Sequence, residues 1–356
     1  MKTLISLMGF LLSFHSIGQV GESKPHTDFV VEEISNQIFT SDLSWRGADG
    51  AASIDLKNGK VLWLFSDTFI DTQAKQQRKQ APIIRNSIAI QQGLSLDPGK
   101  MSYYHQGKSS QPKSFFSIPG DTWFWTGHGA LVDGQLVIFL IEEQSTTEGF
   151  GFKAVGWYVA LIPNPSDSPL DWDITYIKGS DTGSLIVGSS AVFVDGEYVY
   201  AYAVSEPKTH EVFLARLSVK NIIHAEMSKI EWWNNQTWSQ SLALNTAPLF
   251  IGQTEFSVHF DPTLNQYIQI QTYGFGMASL GYRKANKPQG PWSQPIMFYH
   301  PKVKGYNLMI YSANAHPELD TEGGTLVTYN INNNDFDKLL EDESIYFPRL
   351  LKLKIL

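Results

Sequence analysis

The chain has 356 residues, contains no cysteine and carries a formal net charge of -8 at pH 7. The absence of cysteine excludes a disulfide framework and a lipid-modified cysteine. The negative charge argues against a nucleic-acid partner and against an anionic membrane surface. A chain of this length can form one large β domain or two smaller domains.

The N-terminal residues have the layout of a secretory signal peptide. Lys2 precedes an apolar run at residues 4–14, and small or polar residues follow at 16–21. The apolar run is too short to serve as a stable membrane anchor. We therefore predict a signal peptide at residues 1–20 that is cleaved, a mature chain of residues 21–356, and a secreted or periplasmic protein that does not contact the membrane after cleavage.

The first pattern in the mature chain is a β-hairpin. Two apolar-rich runs flank an Asn-Gly pair at residues 58–59, which is a strong hairpin signal. Symmetric pairing across this turn sets Gly50 opposite Asp67 and brings Asp49 to the same end of the hairpin. Strict alternation sends the two carboxylates to opposite faces unless Gly50 forms a bulge. The alternative is that both aspartates only stabilise turns.

Four further units of strand, turn and strand follow, and helical periodicity is confined to residues 335–341. The five units begin at equivalent marker residues, which are Asp49, His128, Ser189, Glu255 and His316. Repeated units of three or four strands with short turns predict an all-β chain that forms a single five-bladed β-propeller over residues 21–356. The last unit lacks one strand, which residues 29–31 or 37–39 could supply to close the ring.

The marker residues are predicted to meet at one mouth of the central channel, because the innermost strands of a propeller run in the same direction. Carboxyl groups in a shared cleft shift the pKa of one another, so one can hold a proton while another is ionised, as glycoside hydrolysis requires. We predict Asp49 as base or nucleophile, Glu255 as acid, and Asp67 as a group that orients a hydroxyl or tunes Asp49. The alternatives are structural histidines and a solvated Glu255.

Several arginine, tryptophan and histidine residues near the markers are candidates for sugar binding. Arginine can hold hydroxyls and flat aromatic rings can stack on sugars, although surface placement and core packing explain such residues equally well. We predict substrate contacts from Trp45, Arg46, Arg85, Trp125, His128, Arg283 and His316, with Trp123 as a further aromatic candidate.

Motifs for other chemistries are missing from the sequence. It has no cysteine nucleophile, no glycine-rich phosphate loop, no Gly-x-Ser-x-Gly elbow and no His-Glu-x-x-His zinc motif. We therefore predict an enzyme that needs no cofactor and no catalytic metal. His128 and His316 could hold a structural cation near the axis together with backbone oxygens.

Five stretches of the chain resemble a known family. Residues 46–50 and 62–68, which read Gly-Ala-Asp-Gly and Trp-Leu-Phe-Ser-Asp-Thr at their centres, together with 85–87, 255–258 and 311–317, resemble the bacterial domain-of-unknown-function families 4185 and 5005. Ser66 departs from the glycine associated with this motif. The similarity covers the chain from Trp45 to the C-terminus.

This resemblance implies a five-bladed propeller related in architecture to glycoside hydrolase family 43. It also implies similarity to glycoside hydrolase family 183, which cleaves D-arabinan between arabinofuranose units, and an acidic site at Asp49, Asp67 and Glu255. The expected function is therefore a secreted hydrolase of an arabinan-like polysaccharide or oligosaccharide. The competing interpretation is a propeller that binds glycans or serves as a scaffold, which has no need of paired acids.

Overall fold

The computed structural model describes residues 28–73, 75–319 and 321–356 of the chain. The predicted signal peptide at residues 1–20 lies outside these ranges, so its cleavage and the export of the protein stay predictions. Within the described residues, no helix is both long enough and apolar enough to cross a membrane.

The described strands form five antiparallel blades, which we number 1 to 5 in chain order. The chain begins with β1 (Phe29–Ile34) and the one-turn helix α1 (Gln37–Thr40). Blade 1 contains β2 (Trp45–Asp55), β3 (Lys60–Ile70), β4 (Ile83–Ile84), β5 (Ser87–Gln92) and β6 (Met101–Tyr104). A small hairpin of β7 (Gln106–Lys108) and β8 (Gln111–Lys113) follows. Blade 2 contains β9 (Thr122–Val132), β10 (Gln135–Ser145), β11 (Phe152–Ile162) and β12 (Thr175–Lys178).

The second half of the chain forms the other three blades. Blade 3 contains β13 (Leu185–Asp195), β14 (Tyr198–Ser205), β15 (Glu211–Ser218), β16 (Glu231–Trp233), β17 (Trp238–Ser239) and β18 (Phe250–Ile251). Blade 4 contains β19 (Ser257–Asp261), β20 (Gln266–Tyr273), β21 (Ser279–Ala285) and β22 (Ile296–Tyr299). Blade 5 contains β23 (Leu308–His316), β24 (Thr325–Asn333), β25 (Arg349–Ile355) and β1. The helices α2 (Val219–Ile223) and α3 (Phe336–Glu341) and short 3-10 turns at Pro98–Lys100, Pro169–Asp171 and Met227–Lys229 lie in the connections.

The innermost strands β2, β9, β13, β19 and β23 contact one another in a closed ring. This arrangement confirms the predicted five-bladed propeller, and α3 confirms the predicted helix at residues 335–341. The ring is closed by β1, whose residues pair with β25 from Phe29 opposite Ile355 to Ile34 opposite Leu350. Residues 37–39 belong to α1 instead, so the first of the two suggested closing segments is the one used.

The hydrophobic core is divided into five clusters, one in each interface between neighbouring blades. Trp63 of blade 1 packs with Leu326 of blade 5, for example, and Phe124 of blade 2 packs with Leu64 of blade 1. Both faces of a middle strand are therefore covered, which is why β10 reads as a continuous apolar run. Each buried side chain of this size contributes about 1.5–3 kcal/mol to folding, so the blades hold one another in place.

The first hairpin differs from its predicted register. Its turn spans residues 56–59 rather than the Asn-Gly pair alone, and Gly50 pairs with Phe65 instead of Asp67. The pairing shifts on both sides of Gly50, where the backbone has positive φ at Gly50 (79°) and Ala51 (120°). These bulges interrupt the alternation of side chains between the two faces of β2. This interruption allows the side chains of Asp49 and Asp67 to lie on the same side of the hairpin.

Candidate active site

The channel mouth is lined by residues from all five blades. They are Gly50, Ala52, Leu64, Thr126, Gly127, Ser189, Ser190, Glu255 and Asn314. Of the predicted markers, Ser189 and Glu255 thus line the mouth, and Asp49 directly precedes Gly50. His128 and His316 follow the lining residues Gly127 and Asn314 along their strands and do not line it.

Asp49 accepts hydrogen bonds on both carboxyl oxygens from tyrosines of blade 5. The Tyr311 hydroxyl donates to Asp49 Oδ1, and the Tyr346 hydroxyl donates to Oδ2 over 2.7 Å. Burial and then the charge of Asp67 raise the pKa of Asp49 well above its usual range, and the Tyr346 hydrogen bond opposes this increase. A raised pKa suits a carboxyl group that has to carry a proton near neutral pH.

The backbone of Tyr346, whose hydroxyl contacts Asp49, has an unusual conformation. The residue has φ +64°, in the left-handed region that non-glycine residues seldom adopt. Its carbonyl oxygen packs so closely on Gly47 that a Cβ atom there would lie 2.2 Å away. Only glycine allows this contact between β2 and the segment that precedes β25.

The buried Arg78 fastens the same segment. Its guanidinium donates to the carbonyl oxygens of Leu339 (2.6 Å), Asp342 (3.0 Å), Ile345 (2.7 Å) and Arg46 (3.2 Å). The group thereby connects the end of α3 and the backbone before Tyr346 to β2. An arginine offers five donors in a fixed plane. The single Arg78 side chain can therefore hold the backbone segment that ends at Tyr346.

Asp67 has surroundings that differ from those of Asp49. Arg85 Nη1 lies 3.2 Å from Asp67 Oδ2, and Trp125 Nε1 donates to Oδ1 over 2.9 Å. Burial raises the pKa of Asp67, whereas the Arg85 charge and the two donors oppose the increase. The Tyr346 hydroxyl lies 3.2 Å from the Asp67 carbonyl oxygen, so a single tyrosine contacts both aspartates.

Glu255 is the third predicted acid, and it lies beside the first hairpin. A Cβ atom on Gly50 would be 3.5 Å from Glu255 Oε1, which places this carboxyl group next to Asp49. Burial raises the pKa of Glu255 to about 7, although a hydrogen bond from Ser312 opposes this increase. The charge of Glu255 also contributes to the raised pKa of Asp49, so the three predicted acids form one electrostatic group.

Glu143, which was not predicted from the sequence, belongs to the same group. Its side chain is buried on β10, and Oε2 has no hydrogen-bond partner among the described residues. Burial, Glu206 and Asp67 raise the pKa of Glu143 to about 8. No local sequence pattern marks Glu143, because it lies near the end of the middle strand β10 and not at a marker position.

Two of the predicted sugar-binding residues lie in this site. Arg85 is half exposed, and its guanidinium stacks 4.4 Å above the Trp123 ring while it pairs with Asp67. Trp125 bonds to Asp67 as described above. Both side chains therefore contact the Asp67 carboxylate.

Three other residues predicted to contact substrate have structural partners elsewhere, so their role in sugar binding stays a prediction. Trp45 is only 1% exposed, stacks on Tyr103 at 4.6 Å and donates to a serine of β5. The Arg46 guanidinium is buried against Phe347 and pairs with Glu343 at 3.4 Å. Arg283 donates to the Ser293 carbonyl oxygen and lies over two aromatic rings of its own region, Phe250 and Tyr273.

The two predicted histidines lie deeper in the fold. His316 is fully buried and bonds Ser53 through Nδ1 (2.5 Å) and Thr328 through Nε2 (2.8 Å). Burial lowers the pKa of His316 to about 3 and that of His128 to about 4. Both imidazoles are therefore uncharged near neutral pH, and their role as substrate ligands stays a prediction.

The only metal that the sequence predicts is a structural cation near the axis. Across residues 28–73, 75–319 and 321–356, no group of three or more histidine, cysteine, aspartate or glutamate side chains is arranged to hold a metal ion. The axial cation and the lack of a cofactor stay predictions.

Solved structures share this fold. A proposed hydrolase from Bacteroides ovatus matches with a TM-score of 0.74 and 18% identity, over 91% of this chain and 90% of that chain. The xylan β-1,4-xylosidase from Bacillus halodurans matches with a TM-score of 0.50 and 13% identity, over 88% of this chain and 55% of that chain. The exo-β-1,3-galactanase from Phanerochaete chrysosporium matches with a TM-score of 0.51 and 12% identity, over 87% of this chain and 63% of that chain. At these identities the similarity shows the fold alone.

The sequence itself was compared with curated proteins and with protein families. No curated protein matches. The match to a family extends over residues 32–354, which is nearly the whole chain, and the family is described as "Domain of unknown function (DUF5005)". The chain therefore belongs to the DUF5005 family.

Proposed function

We propose that the protein is a glycoside hydrolase that cleaves an arabinan-like furanoside polysaccharide or oligosaccharide at the channel mouth. The observation that carries the proposal is the pair of neighbouring carboxyl groups with unequal surroundings, Asp49 and Asp67. Glycoside hydrolysis needs one carboxyl group that donates a proton and a second that is ionised.

The surroundings of the pair divide these roles. Asp67 faces the Arg85 guanidinium and the Trp125 N–H, and both stabilise a negative charge. Within the part of the chain that the structure describes, the side-chain donors to Asp49 are the neutral hydroxyls of Tyr311 and Tyr346, and two neighbouring acids raise its pKa. We therefore assign the proton to Asp49 and the ionised state to Asp67. This differs from the expectation from the sequence, in which Asp49 was the base or nucleophile, Glu255 the acid and Asp67 a group that orients a hydroxyl or tunes Asp49.

In the proposed reaction, Asp49 transfers its proton to the glycosidic oxygen as the bond from that oxygen to the anomeric carbon breaks. Asp67 either removes a proton from the attacking water or attacks the anomeric carbon first and is released by water. In both cases one water is consumed, and a new reducing end and a new hydroxyl are formed. Glu255, with a pKa near 7, assists by keeping the Asp49 pKa high.

The furanoside class rests on the resemblance of residues 46–50 and 62–68 to arabinan-cleaving propellers. The fold does not select the sugar, since the xylosidase and the galactanase named above share the propeller. We also propose export through the N-terminal segment and activity without a cofactor. Mass determination of the mature protein tests the cleavage near residue 20, and activity that survives EDTA supports the absence of a required metal.

The experiment is a screen of the purified protein against D-arabinan, L-arabinan, xylan and galactan, followed by measurement of new reducing ends. We expect activity on an arabinan, and a loss of about 10²- to 10⁴-fold in kcat in Asp67→Asn and in Asp49→Asn. Asp133→Asn is the matched control, because Asp133 is exposed in the turn between β9 and β10. Binding without cleavage favours a glycan-binding propeller instead.

A further inference from the structure

A row of four aromatic rings leads away from Asp67 across the mouth of the propeller. The ring centroids of Trp125 and Phe152 are 4.5 Å apart, those of Phe152 and Phe150 are 6.2 Å apart, and those of Phe150 and Phe275 are 6.5 Å apart. The row begins at the catalytic pair, because Trp125 Nε1 donates to Asp67.

The outer rings of this row are open to solvent. Phe150 is 66% exposed and Phe275 is 75% exposed, whereas Trp125 is partly covered. Large apolar groups that lie side by side on a surface mark a binding site more often than isolated ones do. Here they lie beside a site whose other members are carboxyl groups and an arginine.

The row is built by two blades that are not neighbours. Phe150 belongs to the connection between β10 and β11 in blade 2, and Phe152 is the first residue of β11. Phe275 belongs to the connection between β20 and β21 in blade 4. Backbone hydrogen bonds anchor both connections, since Thr146 N–H donates to the Gly151 carbonyl and Ile310 N–H donates to the Gly276 carbonyl. These hydrogen bonds hold the backbone of the two connections that carry Phe150 and Phe275, so the two exposed rings lie next to each other.

We propose that this row, residues Trp125, Phe152, Phe150 and Phe275, is a subsite that binds the glycan chain beyond the bond being cleaved. The inference rests on the proposed function and extends it from a single bond to a chain several sugars long. Flat rings cover the apolar faces of sugars, while the hydroxyls at the sugar edges stay in water. The overall charge of -8 and the neighbouring acids favour a neutral glycan over an anionic one.

Binding is tested with affinity electrophoresis of the full chain in gels that contain D-arabinan, L-arabinan, xylan or galactan. We expect the wild type to be retarded by an arabinan, and the double variant Phe150→Ala, Phe275→Ala to bind about tenfold more weakly, which corresponds to about 1.4 kcal/mol, because both exposed ring contacts are lost. Phe260→Ala is the matched control, since Phe260 is 45% exposed at the opposite end of its blade. Thermal unfolding of all variants checks that they fold.

Kinetics separates this inference from the proposed function. The double variant should keep kcat/KM within about twofold for 4-nitrophenyl arabinofuranoside, which carries one sugar, and should have a KM for arabinan raised about tenfold. Retardation that depends on the two rings without any hydrolysis defeats the proposed function and leaves the subsite in place. Equal retardation of the double variant and the wild type, or no retardation in any gel, overturns the subsite.

Discussion

The Tyr346 hydroxyl donates a hydrogen bond to Asp49 Oδ2 over 2.7 Å, although 297 positions separate the two residues in the chain. Asp49 lies on the innermost strand of blade 1, and Tyr346 lies three residues before β25, the third strand of blade 5. The acid and its hydrogen-bond donor therefore come from opposite ends of the sequence and meet only when the ring is closed. The candidate active site is a product of that closure.

Tyr346→Phe should shift the alkaline limb of the pH profile of kcat/KM to higher pH. The hydroxyl lowers the Asp49 pKa, so its removal raises the pKa at which the proposed acid loses its proton. The Phe ring keeps the packing against Phe69. Tyr306→Phe, at an exposed tyrosine, is the control and should leave the profile unchanged. A limb that stays in place or moves to lower pH contradicts the assignment of the proton to Asp49.

Arg85→Gln should shift the acidic limb of the same profile to higher pH. The Arg85 charge lowers the Asp67 pKa, so without it the base is protonated at a higher pH and activity at neutral pH falls. Lys153→Gln removes one positive charge from the exposed start of β11 without touching Asp67, and its profile should match the wild type. If both variants shift the limb equally, the effect is general electrostatics and not the Arg85 contact.

Arg78→Leu should destabilise the protein by at least about 3 kcal/mol, measured by urea unfolding. The change leaves buried carbonyl oxygens without their donor, and each unsatisfied group costs roughly 1–3 kcal/mol. Arg78→Lys should not restore stability, because a single ammonium group cannot reach carbonyls that now bind three different nitrogens. A free energy of unfolding within about 1 kcal/mol of the wild type in either variant would show that other contacts hold the segment before Tyr346.

Glu143→Gln should stabilise the protein at alkaline pH relative to the wild type. The folded-state pKa of Glu143 is raised to about 8 from a usual value of 4.5, so the folded state resists ionisation of this group. The wild type therefore loses stability as the pH rises from about 4.5 through 8, whereas the Gln variant has no charge to bury. Urea unfolding at pH 5 and pH 9 measures the difference. Glu148→Gln at an exposed position should show no such change, and equal differences at both pH values contradict the prediction.

The repeated units allowed the fold to be predicted because they are local features. Each innermost strand and its turn lie within about twenty residues, so hydrophobic alternation and Asp-Gly turns reveal them one at a time. The meeting of Asp49 and Asp67 at one end of a hairpin follows from the same kind of signal. The register of that hairpin does not, since no local sequence pattern marks the shifts in pairing on both sides of Gly50.

The rest of the site depends on contacts between distant parts of the chain. Tyr346 and Arg78 act through hydrogen bonds across most of the sequence, and no short pattern marks either residue. Trp45 and Trp125 illustrate the same limit, because each lies on the innermost strand of its blade. Trp45 is buried against Tyr103, whereas Trp125 donates a hydrogen bond to Asp67, and only the packing of the blades decides this difference.

The most direct test of the central claim, that this site hydrolyses a glycosidic bond, is digestion of the arabinan found in the screen in water enriched in oxygen-18, with mass spectrometry of the products. Hydrolysis by the Asp49 and Asp67 pair predicts that the label enters the anomeric carbon of each new reducing end, and that Asp67→Asn gives no labelled product while Asp133→Asn labels as the wild type does. Products without label at the anomeric carbon, or equal labelling by Asp67→Asn, would contradict the account.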